Sequence, residues 1–200
     1  RDALPERGRG ARPGAGATRT LPAPAAAAGR PVRMTGVTTP GTYRLELGKE
    51  DFKFSCAHFT LFPDGGAEPL HGHNYRVRVT VEGDRLDALG MLVDFAAVKR
   101  AVRRLCARLD ERVLLPQEAP DLVWERRGEE VEARYGGRRY LWPAAEVLLL
   151  PLANTSVELL AAWLWCELAP ELAGFPVRSL GVSVEETLGQ GCRYSAPLPG

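Results

Sequence analysis

A chain of 200 residues, 45% hydrophobic and 26% charged, is long enough for one domain with a sizeable core plus trimmings. Its formal net charge is +1, so no strongly basic face is on offer for nucleic acid or for an anionic membrane surface. No apolar run approaches the roughly 20 residues that a membrane-spanning helix needs. Cys56, Cys106, Cys166 and Cys192 are scattered and lack the short spacing of zinc knuckles or redox motifs, which leads us to expect a reduced, cytoplasmic protein.

Residues 1–33 are dominated by Ala, Gly, Pro and Arg, with five prolines, no lysine and no hydrophobic periodicity. Such a stretch cannot bury enough apolar surface to offset its ordering entropy. Residues 1–41 are therefore expected to be a disordered tail, with Met34 as the natural start, and residues 42–197 to form the folded domain. From Thr42, "TYRLELGKEDFKFSCAHF" alternates like a long strand broken near Gly48. After the turn-rich "FPDGGAEP", "HNYRVRVTVEG" alternates again, with Tyr75, Val77, Val79 and Val81 on one face. The two stretches predict an antiparallel hairpin. Asp94 then caps a helix whose apolar residues Phe95, Val98, Val102, Leu105 and Leu109 recur at helical spacing. An insertion at about 116–150 contains "EEVEARYGGRRYLWP", a hairpin signal turning at Gly136-Gly137. A second helix opens at the capping box Thr155-x-x-Glu158. The tail "VRSLGVSVEETLGQGCRYS" returns to strand pattern, interrupted at Gly189 and Gly191. This order predicts an α+β fold, with both helices on one face of a four-stranded antiparallel sheet.

All three histidines of the chain, His58, His71 and His73, fall within a stretch of sixteen residues. In a strand, side chains at i and i+2 share a face, so His71 and His73 project together. If the strand carrying His58 pairs with theirs, three imidazoles converge. Three neutral nitrogens with one open position describe a catalytic Zn2+ site. An HxH pair alone is as readily a pair of exposed or core-satisfied histidines; the third histidine on the neighbouring strand favours the metal.

"FSCAHF…LHGHNYRVRV…MLVDFAAVKR…LD…NTSVELLA…VSVEETLGQGCRYS" resembles the family of 6-pyruvoyl-tetrahydropterin and 6-carboxy-tetrahydropterin synthases, from about residue 43 to 195 apart from the insertion. The resemblance implies a tunnelling fold, in which four-stranded sheets of several subunits close into a barrel. A homotrimer or homohexamer is then the expected assembly, with a small-molecule pterin as partner and neither nucleic acid nor membrane. It implies His58, His71 and His73 as Zn2+ ligands. Glu186 matches the glutamate that anchors the pterin ring, and Thr187 is placed in the same pocket. Thr155 and Glu158 match the opening of the family's second helix, although a capping box explains them equally well. Asp110 matches the aspartate of an Asp-His relay, but Glu111 follows it where the family has histidine.

A second departure concerns the family's catalytic cysteine, whose place is taken by Ala67, with Glu68 one position closer to His71. Some members carry glutamate before LHGHNY, and by that resemblance Glu68 is the proton-transferring group. A carboxylate in an apolar pocket is then expected to have its pKa raised toward neutrality. Cys56, on the face of His58, stands either as a substitute thiol or as a small buried hydrophobe. Cys192 is read as structural. The resemblance implies a zinc-dependent lyase that converts 7,8-dihydroneopterin triphosphate to 6-pyruvoyl-tetrahydropterin with loss of triphosphate. The alternatives are side-chain cleavage to 6-hydroxymethyl-dihydropterin or 6-carboxy-tetrahydropterin, and a non-catalytic homologue that binds zinc or pterin without turnover.

Overall fold

The computed structural model describes residues 41–199. The expected tail at residues 1–41 therefore lies, but for its last residue, outside the described residues. The first expected strand is two: β1 (Tyr43–Leu47) and β2 (Lys53–His58). They pair antiparallel, end to end, with opposite halves of the long β3 (His71–Gly83), β1 covering Val79–Gly83 and β2 covering His71–Arg76. On β3, Tyr75, Val77, Val79 and Val81 are buried while Asn74, Arg76 and Arg78 are exposed, as the alternation requires. The helix α1 (Phe95–Leu109) begins where Asp94 accepts the Ala96 N–H at 2.8 Å. The helix α2 (Val157–Leu168) has Ser156, not Thr155, as its cap: the Ser156 hydroxyl accepts from Leu159.

The sheet is not four-stranded. It holds seven strands, in the order β10–β9–β3–β2–β4–β8 with β1 also on β3. The last two strands of the chain, β9 (Ser179–Thr187) and β10 (Gln190–Pro197), form the expected C-terminal hairpin with a bulge at Gln190/Gly191. The additional strands are β4 (Arg112–Pro116) and β8 (Val147–Leu150), which run parallel to β2 and to each other. Their sequences, "RVLLP" and "VLLL", show no alternation, and packing gives the reason. Leu114 and Leu150 belong to the core under the helices, while Leu115, Val147 and Leu149 belong to a second core on the opposite face. A strand covered on both faces reads as a continuous apolar run.

Between β4 and β8 the insertion folds as a separate three-stranded meander, β5 (Val123–Arg127), β6 (Glu130–Tyr135) and β7 (Arg138–Pro143). The expected β6–β7 hairpin is present, and both turn glycines take positive φ, 52° at Gly136 and 79° at Gly137. The first strand of the meander carries no alternation signal and is an addition to the expected hairpin. The main core packs Phe54, Val77, Val182 and Leu180 of the sheet against Val98 and Val102 of α1 and Leu160 and Leu164 of α2. No helix of the described residues is long and apolar enough to cross a membrane.

Candidate active site

Antiparallel register places His58 opposite His71 and Cys56 opposite His73. All four continue the buried face of Phe54 and Tyr75, at the end of the sheet where the main core stops. One ligand atom from each histidine lies within 4.8 Å of those of the other two. The rings are 4.7 Å apart for His71–His73, 4.8 Å for His58–His71 and 5.4 Å for His58–His73. His71 Nδ1 lies 2.8 Å from the Pro69 carbonyl, so its N–H is held there and Nε2 keeps its lone pair. His58 is buried, with Nδ1 turned to Thr155 Oγ1 at 3.4 Å. Burial, then the neighbouring His71, holds the His58 imidazole below its ordinary pKa, in the neutral form a metal requires. The donor set therefore fits a Zn2+ ion, which these three imidazoles would hold.

Two further groups meet these imidazoles. Tyr75 is buried, and its hydroxyl donates to Glu186 Oε1 at 2.8 Å while lying 2.9 Å from His58 Nε2. Burial and the Glu186 carboxylate push its pKa up, so the phenol stays protonated. The strand alternation marks Tyr75 only as an apolar position. The available signal was that a tyrosine on a buried strand face needs a partner for its hydroxyl. Glu186 extends the core face of β9 and stands 3.4 Å from both His58 Nε2 and His73 Nε2. Together with His73, Asn74, Arg76 and Thr187 it also lines a groove of ≈ 430 Å³, a volume within the range of small-molecule sites.

Glu68 reaches the centre from a loop. Its Oε2 accepts the Thr60 N–H at 3.1 Å and lies 3.9 Å from His71 Nε2. Burial pulls its pKa up, but the hydrogen bonds with Thr60 oppose it and the carboxyl ends below its ordinary value. The upward shift toward neutrality expected from the sequence is not found: the carboxylate is half-exposed and already hydrogen-bonded in its charged form.

The remaining candidates are distributed. Thr155 is wholly buried and donates to the Phe59 carbonyl at 3.0 Å; it faces His58 rather than the groove. Thr187 lines the groove, though its hydroxyl is turned to Gln190 at 3.2 Å. Asp110 caps the end of α1 and accepts the Ser55 N–H at 2.7 Å. Glu111 is exposed, at a positive φ of 55°, and donates its N–H to the Ser55 carbonyl at 2.7 Å. Among the described residues, neither is joined to the histidines by a hydrogen bond or ion pair. Cys56 is buried in the main core, and burial pushes its thiol up to about 12, which favours the small-hydrophobe reading.

A helix-backed sheet on which three imidazoles converge beside a carboxylate and a groove defines an enzyme-like site whose donor set suits a metal ion. The family model described as 6-pyruvoyl tetrahydropterin synthase matches residues 46–197, and the chain belongs to that family of pterin-biosynthesis enzymes. A Methanocaldococcus jannaschii protein provisionally named 6-carboxy-5,6,7,8-tetrahydropterin synthase is 32% identical over 145 residues, covering 71% of this chain and 88% of its own. The Bacillus subtilis 6-carboxy-5,6,7,8-tetrahydropterin synthase is 46% identical over a shorter stretch of 61 residues, 30% of this chain and 41% of its own. The crystal structure of Plasmodium vivax 6-pyruvoyl tetrahydropterin synthase superimposes with a TM-score of 0.74 at 26% identity, covering 78% of this chain and 99% of that one. Two further structures of the Plasmodium protein carry alanine or cysteine in place of a catalytic glutamate.

Proposed function

We propose that this chain is a zinc-dependent enzyme that cleaves the side chain of 7,8-dihydroneopterin triphosphate, with 6-carboxy-tetrahydropterin as the product. The reading rests on the convergence of His58, His71 and His73 beside Glu186 and Glu68. The name shared by its sequence relatives supports the carboxylated product over the 6-pyruvoyl one.

Zn2+ held by the three histidines would polarise a side-chain oxygen and acidify the adjoining C–H. Glu186 accepts the paired N–H groups of the 2-amino-pyrimidinone edge; a carboxylate that already accepts from Tyr75 has lone pairs left for both. Tyr75 fixes that carboxylate, while Thr155 and the Pro69 carbonyl fix the imidazole planes of His58 and His71. Glu68, charged at neutral pH, takes the proton from the side-chain carbon. Thr187 closes the groove beside the ring. Asp110 and Glu111 bond Ser55 and, among the described residues, share no hydrogen bond or ion pair with Glu68, so neither takes part in the proton transfer. Among the described residues the sheet keeps unpaired strand edges at β10, β8 and β1, which supports a barrel of at least three subunits.

A second reading, cleavage to 6-hydroxymethyl-dihydropterin, is favoured by one observation. Glu68 stands beside Ala67 where most of the family has its cysteine, and the Plasmodium protein likewise has a catalytic glutamate. Incubation of the zinc-loaded protein with 7,8-dihydroneopterin triphosphate, followed by mass identification of the pterin, decides between them. A 6-carboxy product is expected. Release of a hydroxymethyl or pyruvoyl pterin would replace it, and unchanged substrate would leave a binding protein.

A further inference from the structure

The inserted meander touches the one site residue that no strand of the sheet carries. Glu68 belongs to the loop 59–70, and the inward face of β7 packs along that loop. On this face, Tyr140 stacks on Phe59 with centroids 5.5 Å apart, and Trp142 stacks on Tyr140 at 5.2 Å. Leu61, Ala67 and Leu70 of the loop pack into the same core as Val131, Ala133 and Tyr135 of the meander. At the hairpin tip, the third inward residue of β7 is Arg138. One guanidinium nitrogen donates to the Ala67 carbonyl at 2.8 Å and the other to the Glu68 carbonyl.

We propose that Arg138 is a positioning residue: it grips the two carbonyls on either side of the Glu68 nitrogen and fixes the direction in which the Glu68 side chain leaves the loop. Two independent constraints complete the hold. The Glu68 N–H donates to the Thr60 carbonyl at 3.0 Å, and its carboxylate accepts the Thr60 N–H at 3.1 Å. The loop is in turn held to the rest of the fold by Asn154, whose amide bonds the Leu61 N–H and carbonyl at 3.0 and 2.9 Å. Arg138 alone among these contacts comes from the insertion. A planar guanidinium spans two neighbouring carbonyls, whereas a lysine ammonium is a single point and does not. The insertion thus brings a rigid support to a loop that carries a reacting group. This inference rests on the proposed role of Glu68 as the proton-transferring group.

The test is a mutant cycle read with 7,8-dihydroneopterin triphosphate, zinc content and amide hydrogen exchange. In Arg138→Ala we expect kcat to fall roughly 10- to 100-fold, the scale of a misplaced reacting group, with KM and zinc content unchanged. Arg138→Lys should recover only part of the rate. Arg139→Ala, which removes a guanidinium on the outward face bonded to Glu132, should turn over normally. Adding Arg138→Ala to Glu68→Gln should cost nothing more, because both changes act through one group. The Glu68 amide should exchange faster in Arg138→Ala. Full additivity in the double variant, or a normal rate in Arg138→Ala where Glu68→Gln is impaired, would overturn the positioning role. Unchanged exchange at Glu68 would overturn the grip itself. A fully active Glu68→Gln would instead overturn the reading on which the inference rests, and the exchange result would still decide the grip.

Discussion

The helix-backed sheet and the inserted meander each bury one face of a β-sheet, but with different materials. Under the helices the core is broad and mostly aliphatic, built from Val77, Val79, Val182, Leu160 and Leu164 around Phe52, Phe54 and Tyr75. Under the meander it is narrow and aromatic: Phe59, Tyr140 and Trp142 form a stacked ladder with interplanar angles of 18° and 7°. The outward faces differ as well. On the meander, Glu132 is buried between Arg134 and Arg139, with contacts of 2.5 and 2.9 Å. The site straddles this division. Its histidines and Glu186 end strands of the main sheet, whereas Glu68 rides on the loop that packs against the aromatic ladder. The proposed metal site and the proposed base therefore depend on different cores, and their losses should be separable.

The largest separation should come from the metal. His73→Ala should reduce zinc from about one ion per chain to near none after dialysis, since each ligand of a three-nitrogen site is needed for tight binding. The meander's hydrogen-exchange protection should be unchanged. Elemental analysis showing retained zinc would remove His73 from the ligand set. Next in size is Tyr140→Ala, which deletes the middle ring of the ladder and should cost about 2–3 kcal/mol. Exchange should rise at Glu130–Tyr135 and in the loop 59–70 before it rises in β3 or β9. A uniform rise would mean that the two cores unfold as one.

Acid should loosen the meander first. Arg139, then Arg134, holds the Glu132 carboxyl down to about 2, against an ordinary 4.5. Stability from a depressed carboxyl is fully present above its unfolded pKa and is lost as pH falls toward the folded value. The Glu132 contribution should therefore hold above pH 4.5 and drain away between there and about 2. Glu132→Gln should flatten that part of the meander's stability profile, measured by near-ultraviolet dichroism of Trp124 and Trp142. The smallest effect concerns Glu111, which occupies left-handed backbone at φ 55°. Glu111→Gly should raise the stability of the main sheet by about 0.5 kcal/mol in a denaturant titration, because glycine meets no Cβ penalty there.

Much of the main sheet was legible because its strands have one wet face. Alternation in "HNYRVRVTVEG" and the Asp94 cap gave β3 and α1 nearly to the residue. The strands β4 and β8 were not legible, since cores on both faces erase the alternation that marks a strand. The meander's first strand, β5, was missed too: "VWERR" has three charged residues in five and little apolar pattern. Within the site, the HxH spacing and the neighbouring His58 were enough to bring the three imidazoles together, because strand geometry converts i, i+2 into a shared face. The partner of Tyr75, the role of Arg138 and the true cap Ser156 were not legible. Tyr75 meets Glu186, 111 residues away, and Arg138 meets Glu68, 70 residues away, while Ser156 lies one position past the expected cap. Thr155 illustrates the same limit: a capping pattern offered it as the helix cap, whereas its hydroxyl serves His58 and Phe59.

The separation of metal from base is tested most directly by Glu68→Gln, which keeps the side-chain shape and removes the ionisable group. Zinc content and turnover of 7,8-dihydroneopterin triphosphate are to be measured on the same sample. We expect wild-type zinc and pterin binding, with turnover lower by on the order of 10²–10⁴-fold, the usual cost of losing a positioned acid–base group. A zinc-loaded Glu68→Gln that turns over at the wild-type rate would contradict the account.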